Sequence, residues 1–510
     1  MTDYFWSMTR SQPQMTDTKQ TEAIADRNRW LALYVLCAGM LMIVLDITIV
    51  NVALPSIQDD LGFTQSSLAW VVNAYLIAFG GLLLLSGRFG DILGRKSVFM
   101  AGLAVFTVAS LFCGLAQTQE MLVAARFVQG VGGAMTSAVI LGMIVTMFPE
   151  PREQAKAIGV YAFVASGGAS VGLLAGGLLT ESINWHWIFF VNIPIAAATA
   201  FMAGRLLERD KGIGFGGGAD VAGAVLITGS LMLGVYTIVS PAAEHGWGSG
   251  RALGLSAVSL ALLVGFVIRE ARTANPLIPL RIFRSRNVSG ANAVQALSVA
   301  GMFGMFFLGS LYMQRVLGYS ALEIGLAFIP VTVVMGTLSI RFTEPLVMRF
   351  GSKRMVVSGM TLIAAGLLLF TRVPVDGSYV RDLLAPMILL GFGAGLSFPA
   401  LMSAAMSGAT REDAGLASGL VNTSAQVGGA LGLAVLATLS ASRSDGLVED
   451  GEATASALTS GYHLAFLIGA ILVAAAIAVA LAVLQPEERE QPDAADAEMA
   501  GCEPAYSEAG

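Results

Sequence analysis

Fourteen apolar segments lie between residues 30 and 484, and no soluble fold can bury that many. Their approximate limits are 30–55, 68–87, 97–115, 119–148, 157–179, 186–207, 219–239, 252–268, 287–313, 322–340, 355–371, 382–407, 413–439 and 462–484. A helix rises about 1.5 Å per residue, so stretches of this length cross a hydrocarbon core of roughly 30 Å. Lipid leaves backbone polar groups unsatisfied, and no segment shows the alternation of a barrel strand, so each is read as a helix. Charged residues make up 13% of the chain, against about a quarter in soluble proteins. The expected fold class is therefore an all-α polytopic membrane protein with 14 transmembrane helices.

An even number of spans puts both termini on one side, and Lys and Arg placement says which. With the N-terminus counted as cytoplasmic, 23 of the 29 basic residues fall in the lead-in, the loops on that side and the tail. Five (Arg251, Arg315, Arg372, Arg381 and Arg443) fall on the opposite side, and Arg126 lies within a span. Basic residues concentrate on the cytoplasmic side, so both termini are expected inside an inner or plasma membrane. Residues 1–29 have no apolar signal core and read as a cytoplasmic segment. The acidic residues 485–510 read as a disordered tail, and the loop Ser440 to Gly461 as solvated chain, because both are acidic and poor in large apolar side chains. That tail supplies much of the net charge of −6, which thus says little about any partner.

The most basic connection, Arg269 to Arg286, divides the chain. It is expected to be a cytoplasmic linker (269–286) between a six-helix bundle (30–207) with two inserted helices (208–268) and a second six-helix bundle (287–484), a 6 + 2 + 6 arrangement. Weak internal echoes agree. The charged turn GRFGDILGRK (Gly87 to Lys96) recurs as Arg349-Phe-Gly-Ser-Lys-Arg354, QGVGGAM recurs as GFGAGLS, and the glycines of span five recur as VGGALGL. Duplicated halves around a central site are a common transporter plan.

Charge inside the bilayer is the sharpest chemical signal, since it costs at least about 2.5–3.5 kcal/mol and marks pathways or paired groups. Asp46 in span one is expected about 13 Å below the outer surface and Arg126 in span four about 10 Å deep, so the two can pair. Two readings stand: a structural ion pair, or a protonatable acid tuned by burial and a cation. Arg126, Gln129, Gly130 and Gly133 share one face of span four. Gly168, Gly172 and Gly176, with Gly177 beside them, form a stripe that suits either static close packing or a sliding interface. Polar residues of lower rank inside spans are Asn51, Asn73, Tyr75, Gln129, Tyr161, Tyr312, Gln314, Asn422 and Gln426. Each serves either as a cavity wall or as an interhelical hydrogen bond.

Other chemistries lack their residues. Cys37, Cys113 and Cys502 give no disulfide framework or CxxC spacing, and His186, His245 and His463 give no metal-ligand spacing. GDILGRKS (Gly90 to Ser97) approaches a phosphate-binding loop, but Arg95 replaces its second glycine and membrane spans flank it. No cofactor is expected, and the work must come from an ion gradient or from the substrate's own.

These residues together resemble the major facilitator superfamily, and within it the fourteen-span drug:proton antiporter branch. The matching motifs are LDITIVNVALP (Leu45 to Pro55), GRFGDILGRK, RFVQGVGGAM (Arg126 to Met135), WHWIFFVNIP (Trp185 to Pro194) and AGLASGLVNTSAQVGGALG (Ala414 to Gly432). The resemblance implies a major-facilitator-type fold and export of amphipathic drugs or antibiotics in exchange for protons, by alternating access. By matched position it implies Asp46 as the proton-linked acid and Arg126 as its helper. Gly87, Asp91, Gly94, Arg95 and Lys96 become a conformational latch, of which Asp91 and Arg95 are expected to bind neighbouring helix ends only in the outward-open state. Its partners would be a small amphipathic substrate, protons and the lipid bilayer, with no nucleic acid and no second subunit. Gly172-Leu173 departs from the branch's glycine-proline, and His186 stands where Arg is frequent. A metabolite symporter of the same fold, and a non-transporting sensor or lipid-handling scaffold, are the alternatives.

Overall fold

A computed structural model describes residues 13–485, except 209, 211, 213, 215–219, 240, 243–245, 274–275 and 409–413. The first half comprises α1 (Pro13–Leu61), α2 (Gln65–Leu93), α3 (Arg95–Gly114), α4 (Gln119–Met147), α5 (Pro151–Ser182), α6 (Trp187–Phe190) and α7 (Asn192–Leu206). Two further helices follow, α8 (Val221–Val239) and α9 (Gly250–Arg272). The rest comprises α10 (Arg286–Arg315), α11 (Ala321–Arg341), α12 (Thr343–Phe350), α13 (Ser352–Phe370), α14 (Leu384–Ser407), α15 (Ala414–Glu449) and α16 (Thr454–Val483). Among the described residues thirteen helices are long and apolar enough to cross a membrane. The expected fifth span falls on α5, where some side chains lie outside the described residues.

Packing pairs α1 with α5 and α7, and α4 with α2 and α3; in the later part α10 packs on α15 and α16, and α13 on α14 and α16. The two parts meet along α2 with α15 and along α5 with α11, while α8 and α9 pack on each other and reach the rest through α2 and α15. Small residues permit these close approaches, as expected where lipid gives no hydrophobic drive between helices. A Cβ at Gly132 would lie 2.9 Å from the Gly102 carbonyl, and one at Gly393 2.5 Å from the Gly359 carbonyl. The α3–α4 and α13–α14 crossings thus use the same device.

The repeated turn is also repeated in backbone shape. Gly94 has φ 92°, ψ 134° between α2 and α3, and Gly351 has φ 87°, ψ 149° between α12 and α13. Only glycine adopts this region without strain, which for other residues is about 1–3 kcal/mol. A Cβ at Gly351 would meet open space, whereas one at Gly94 would lie 2.6 Å from the Asp210 carbonyl. Gly351→Ala is therefore expected to cost the strain alone, and Gly94→Ala more, as a larger drop in unfolding temperature of the detergent-solubilised protein.

One expectation is corrected. Ser440 to Gly461 is not solvated loop: α15 continues to Glu449, α16 starts at Thr454, and Ser440 and Ser444 are buried. Their small side chains pack against Gly461, so polarity here serves close helix packing rather than hydration. In the basic linker α9 runs on to Arg272, a short 3₁₀ turn spans Leu280–Arg284, and the Ser285 hydroxyl caps α10 by accepting the Val288 N–H. Residues 1–12 and the tail after Gln485 lie outside the described residues.

Candidate functional site

Asp46 and Arg126 meet at the centre of the first half. Asp46 is fully buried, 0% exposed, and Arg126 is 1% exposed. One guanidinium nitrogen of Arg126 donates to Asp46 Oδ2 and to Gln129 Oε1, each at 2.6 Å, and Nε donates to the Val71 carbonyl at 2.9 Å. Gln129 Nε2 donates to Asp46 Oδ1 at 2.7 Å and to Ser110 Oγ at 2.8 Å; Asn192 Nδ2 donates to Asp46 Oδ1 at 3.0 Å. The guanidinium also lies over the rings of Tyr75, 4.5 Å away, and Phe189, 5.7 Å away. Five helices therefore supply the setting: α1, α2, α3, α4 and α7, with α6 adding Phe189.

The local sequence explains the arrangement. Helical spacing puts Gln129 one turn after Arg126, so one face of α4 carries cation and amide together. Gly130 and Gly133 follow on that face, where a Cβ would lie 2.5 Å from the Tyr75 carbonyl and 2.7 Å from the Tyr75 hydroxyl. Glycine thus brings α2 close enough for its Val71 carbonyl to take Nε. A buried charge pair persists only when its remaining donors and acceptors are satisfied, and three donors serve the Asp46 carboxylate here. The carboxylate has no solvent-exposed surface.

Asn192 and Ser110 complete the network but were not singled out in the sequence. Asn192 sits inside the WHWIFFVNIP motif, which was a usable signal; Ser110 is one small polar residue among many. Asn73 is buried on α2, with neither side-chain amide atom hydrogen-bonded among the described residues.

The charged turn clamps helix ends. Arg95 donates to the Gly142 carbonyl at 2.8 Å and to Thr146 Oγ1 at 2.7 Å, in the last turns of α4. Lys96 Nζ donates to the Gly204 carbonyl at 2.9 Å and to the Leu207 carbonyl, at the end of α7. Cations are favoured at helix C-termini. Asp91 lies 3.7 Å from Arg95, an exposed pair worth about 0–1 kcal/mol. Gly87 faces open space on the turn's cavity side.

Asp210 is an addition that sequence reading missed. Its carboxylate caps α3, accepting from the Arg95 N–H at 2.7 Å and the Lys96 N–H at 3.2 Å. Asp210→Ala is expected to cost about 1 kcal/mol as a lost cap and to slow transport by loosening the turn, measured as unfolding temperature and initial uptake rate in vesicles. In the second turn Lys353 repeats the role of Lys96, donating to the Leu481 carbonyl near the end of α16 at 2.8 Å. Ser352 and Met348 stand where Arg95 and Asp91 would be, so only half the clamp recurs.

A cavity of about 550 Å³ opens at the end of the bundle that bears this turn. Its walls include Arg88, Asp91, Arg95, Tyr161, Asp220 and Asn422. Arg95 holds α4 while the cavity stands open beside it, so the expectation that this contact is confined to the state closed at this end is corrected: α4 and the turn belong to one bundle.

The opposite end is shut between the two halves. Arg315 pairs with Asp59 and bonds Gln58 Oε1 at 3.3 Å, Gln65 Nε2 bonds Ser440 Oγ at 3.1 Å, and Glu181 accepts the Leu322 N–H at 3.0 Å.

The remaining sequence candidates separate. Tyr161 and Asn422 line the cavity, while Tyr75 and Gln129 belong to the buried network. Asn51 bonds back to the Ile47 carbonyl at 3.2 Å, and Gln426 packs on Gly80 between α15 and α2. Tyr312 and Gln314 lie near the shut end, where the Tyr312 hydroxyl donates to the Pro374 carbonyl at 2.6 Å. Gly168, Gly172 and Gly176 pack on α1 at Leu41, Leu45 and Ile49, whereas Gly177 meets the α11 backbone at Leu322. Leu173 faces the same partner: a Cβ on Gly325 would lie 2.6 Å from its carbonyl. His186 stacks on Trp185 at 3.8 Å between ring centroids.

A helical membrane bundle with a charged pair at its core and a cavity open at one end is the architecture of a secondary transporter. The family model described as Major Facilitator Superfamily matches residues 36–433, and the chain belongs to that superfamily; it is a multi-pass membrane transporter and not an enzyme. It is 39% identical to the puromycin resistance protein pur8 of Streptomyces alboniger over 89% of this chain and 91% of that protein. It is 38% identical to the cephamycin export protein CmcT of Amycolatopsis lactamdurans, over 90% and 93% respectively. The fold is similar to that of a bacterial homologue of the human lysosomal transporter Spinster in its inward-facing, unoccupied conformation. The TM-score is 0.65 at 14% identity, with 89% of this chain and 97% of that chain covered.

Proposed function

We propose that this protein exports amphipathic antibiotics or drugs across the plasma membrane in exchange for protons, by alternating access. The observation that carries the proposal is the Asp46–Arg126 pair, a carboxylate held by three donors and sealed from water in a conformation whose cavity is open at one end only. Relatives named for puromycin resistance and cephamycin export support the direction and the substrate class. The Lys and Arg distribution supports cytoplasmic termini; on that reading the cavity faces the cytoplasm and the Arg315–Asp59 contact closes the outer face. Fourteen spans in a 6 + 2 + 6 arrangement within one subunit complete the reading. No cofactor takes part, and the proton gradient supplies the energy.

Proton release from Asp46 and drug binding would favour different arrangements of the two halves, and each ligand shifts the equilibrium only by its differential affinity. Inside-out vesicles containing the protein test this with puromycin as probe. Antiport gives puromycin uptake driven by an inside-acid gradient, and puromycin-triggered proton efflux. Movement of both in one direction would instead establish the symport alternative, and no flux of either would leave the scaffold reading.

A further inference from the structure

A second acidic pair stands at the open end, remote from Asp46. Asp220, just before α8, lines the cavity, and Glu270 lies in the last turns of α9. Each is 3% exposed. Asp220 Oδ1 accepts from the Gly223 N–H at 2.8 Å and from Arg269 Nε at 2.6 Å, and Glu270 Oε2 accepts from the Ile278 N–H at 2.8 Å. The second oxygen of each carboxyl, Asp220 Oδ2 and Glu270 Oε1, has no hydrogen-bond partner among the described residues.

Those two oxygens converge. They lie 2.6 Å and 3.0 Å from the point where a Cβ on Gly223 would sit, so they are at most 5.6 Å apart. Glycine leaves that space open. Among the described residues, Arg269 is the guanidinium paired with Asp220, and it is itself partly exposed. Arg88, Asp91 and Arg95 are the other charged groups on the cavity walls, and the linker contributes Pro276, Leu277 and Pro279 there. Buried like charges at this range are not both ionised without a large penalty. Among the described residues no third His, Cys, Asp or Glu completes a metal-ligand set.

We propose that Asp220 and Glu270 form a second proton-binding site, in which the pair carries one proton, on Asp220 Oδ2 or Glu270 Oε1, and exchanges it with water in the cavity. The proton comes from cavity water and returns to it, and no covalent bond between heavy atoms changes. Glu270 Oε2 meanwhile fixes Ile278 in the linker, so the site lies where the α8–α9 pair meets the connection to α10. The inference rests on the geometry of this pair and not on the direction of transport, and its test uses no substrate.

Infrared difference spectra of the purified full-length protein, recorded between acid and alkaline buffer, read the proton directly. The C=O stretching band of a protonated carboxyl is expected in the wild type and in Asp46→Asn. It should be lost in Asp220→Asn, where the remaining glutamate is no longer repelled, and in Glu270→Gln, where Asp220 keeps Arg269. A band unaltered by both substitutions overturns the proposal. Wild-type protein gives a second measure that needs no variant. Dicyclohexylcarbodiimide attacks protonated carboxyls in apolar surroundings, and peptide mass spectrometry should find its adduct at Glu270 or Asp220, falling as pH rises. Absence of adduct at both positions, or a yield independent of pH, counts against the site.

Discussion

Asp46→Asn is expected to reduce gradient-driven puromycin uptake to the level of protein-free vesicles while the protein still folds. Asparagine has nearly the same shape, and its amide oxygen can still accept from Arg126, so most of the packing around α1 and α4 survives. What it cannot do is bind and release a proton. The stability loss should be about 3–5 kcal/mol, since Arg126 is left buried without its counter-charge and the new amide nitrogen faces the Gln129 and Asn192 donors. Downhill exchange of puromycin without a gradient should persist, because the cavity and its walls are untouched. If uptake driven by the gradient survives in this variant, Asp46 is a structural residue and the proton acts elsewhere.

Arg126→Ala is expected to be the more damaging change to the fold. It removes the cation and leaves the buried Asp46 carboxylate without its counter-charge, a situation that costs about 3–5 kcal/mol. The Val71 carbonyl and Gln129 Oε1 lose their donor as well, and the rings of Tyr75 and Phe189 lose the guanidinium between them. The double variant Asp46→Asn/Arg126→Ala should recover part of this loss, because the unpaired charge is then gone. A double-mutant cycle on unfolding in detergent checks it, and residues in one buried network typically couple by about 0.5–3 kcal/mol. Strict additivity would mean that packing, rather than charge pairing, sets the stability of this centre.

Much of this centre was legible in the chain because the bilayer penalises charge so strongly. An aspartate and an arginine inside apolar segments, at similar depth, have few ways to survive except with each other. Gln129 was legible too, since it shares a helix face with Arg126. Asn192 and Ser110 were not, because their contribution depends on how α7 and α3 close around the pair, and a single small polar residue in a span has no distinctive pattern. Asp210 was hidden for a related reason. It acts across more than a hundred residues, at the start of α3, and reads in isolation as an ordinary acidic residue after a span.

The glycines show the same division. Their spacing in α5 pointed to a close helix contact, yet spacing leaves the partner open. Packing assigns Gly168, Gly172 and Gly176 to α1 in the same half and Gly177 to α11 across the interface, so a single stripe serves two different joints. The loop Ser440 to Gly461 went the other way: its composition resembles solvated chain, but serines and alanines are also what tightly packed membrane helices use.

By itself the sequence determined that the chain is a helical membrane bundle, with a buried ion pair, a repeated charged turn and family motifs in order. Apolar run length and the cost of intramembrane charge are local properties, readable residue by residue. Tertiary structure alone decided which end of the bundle is open, which donors complete the Asp46 site, and that Asp220 and Glu270 face one another beside Gly223. Those depend on distances between segments far apart in the chain, and only the packing of one helix against another sets them.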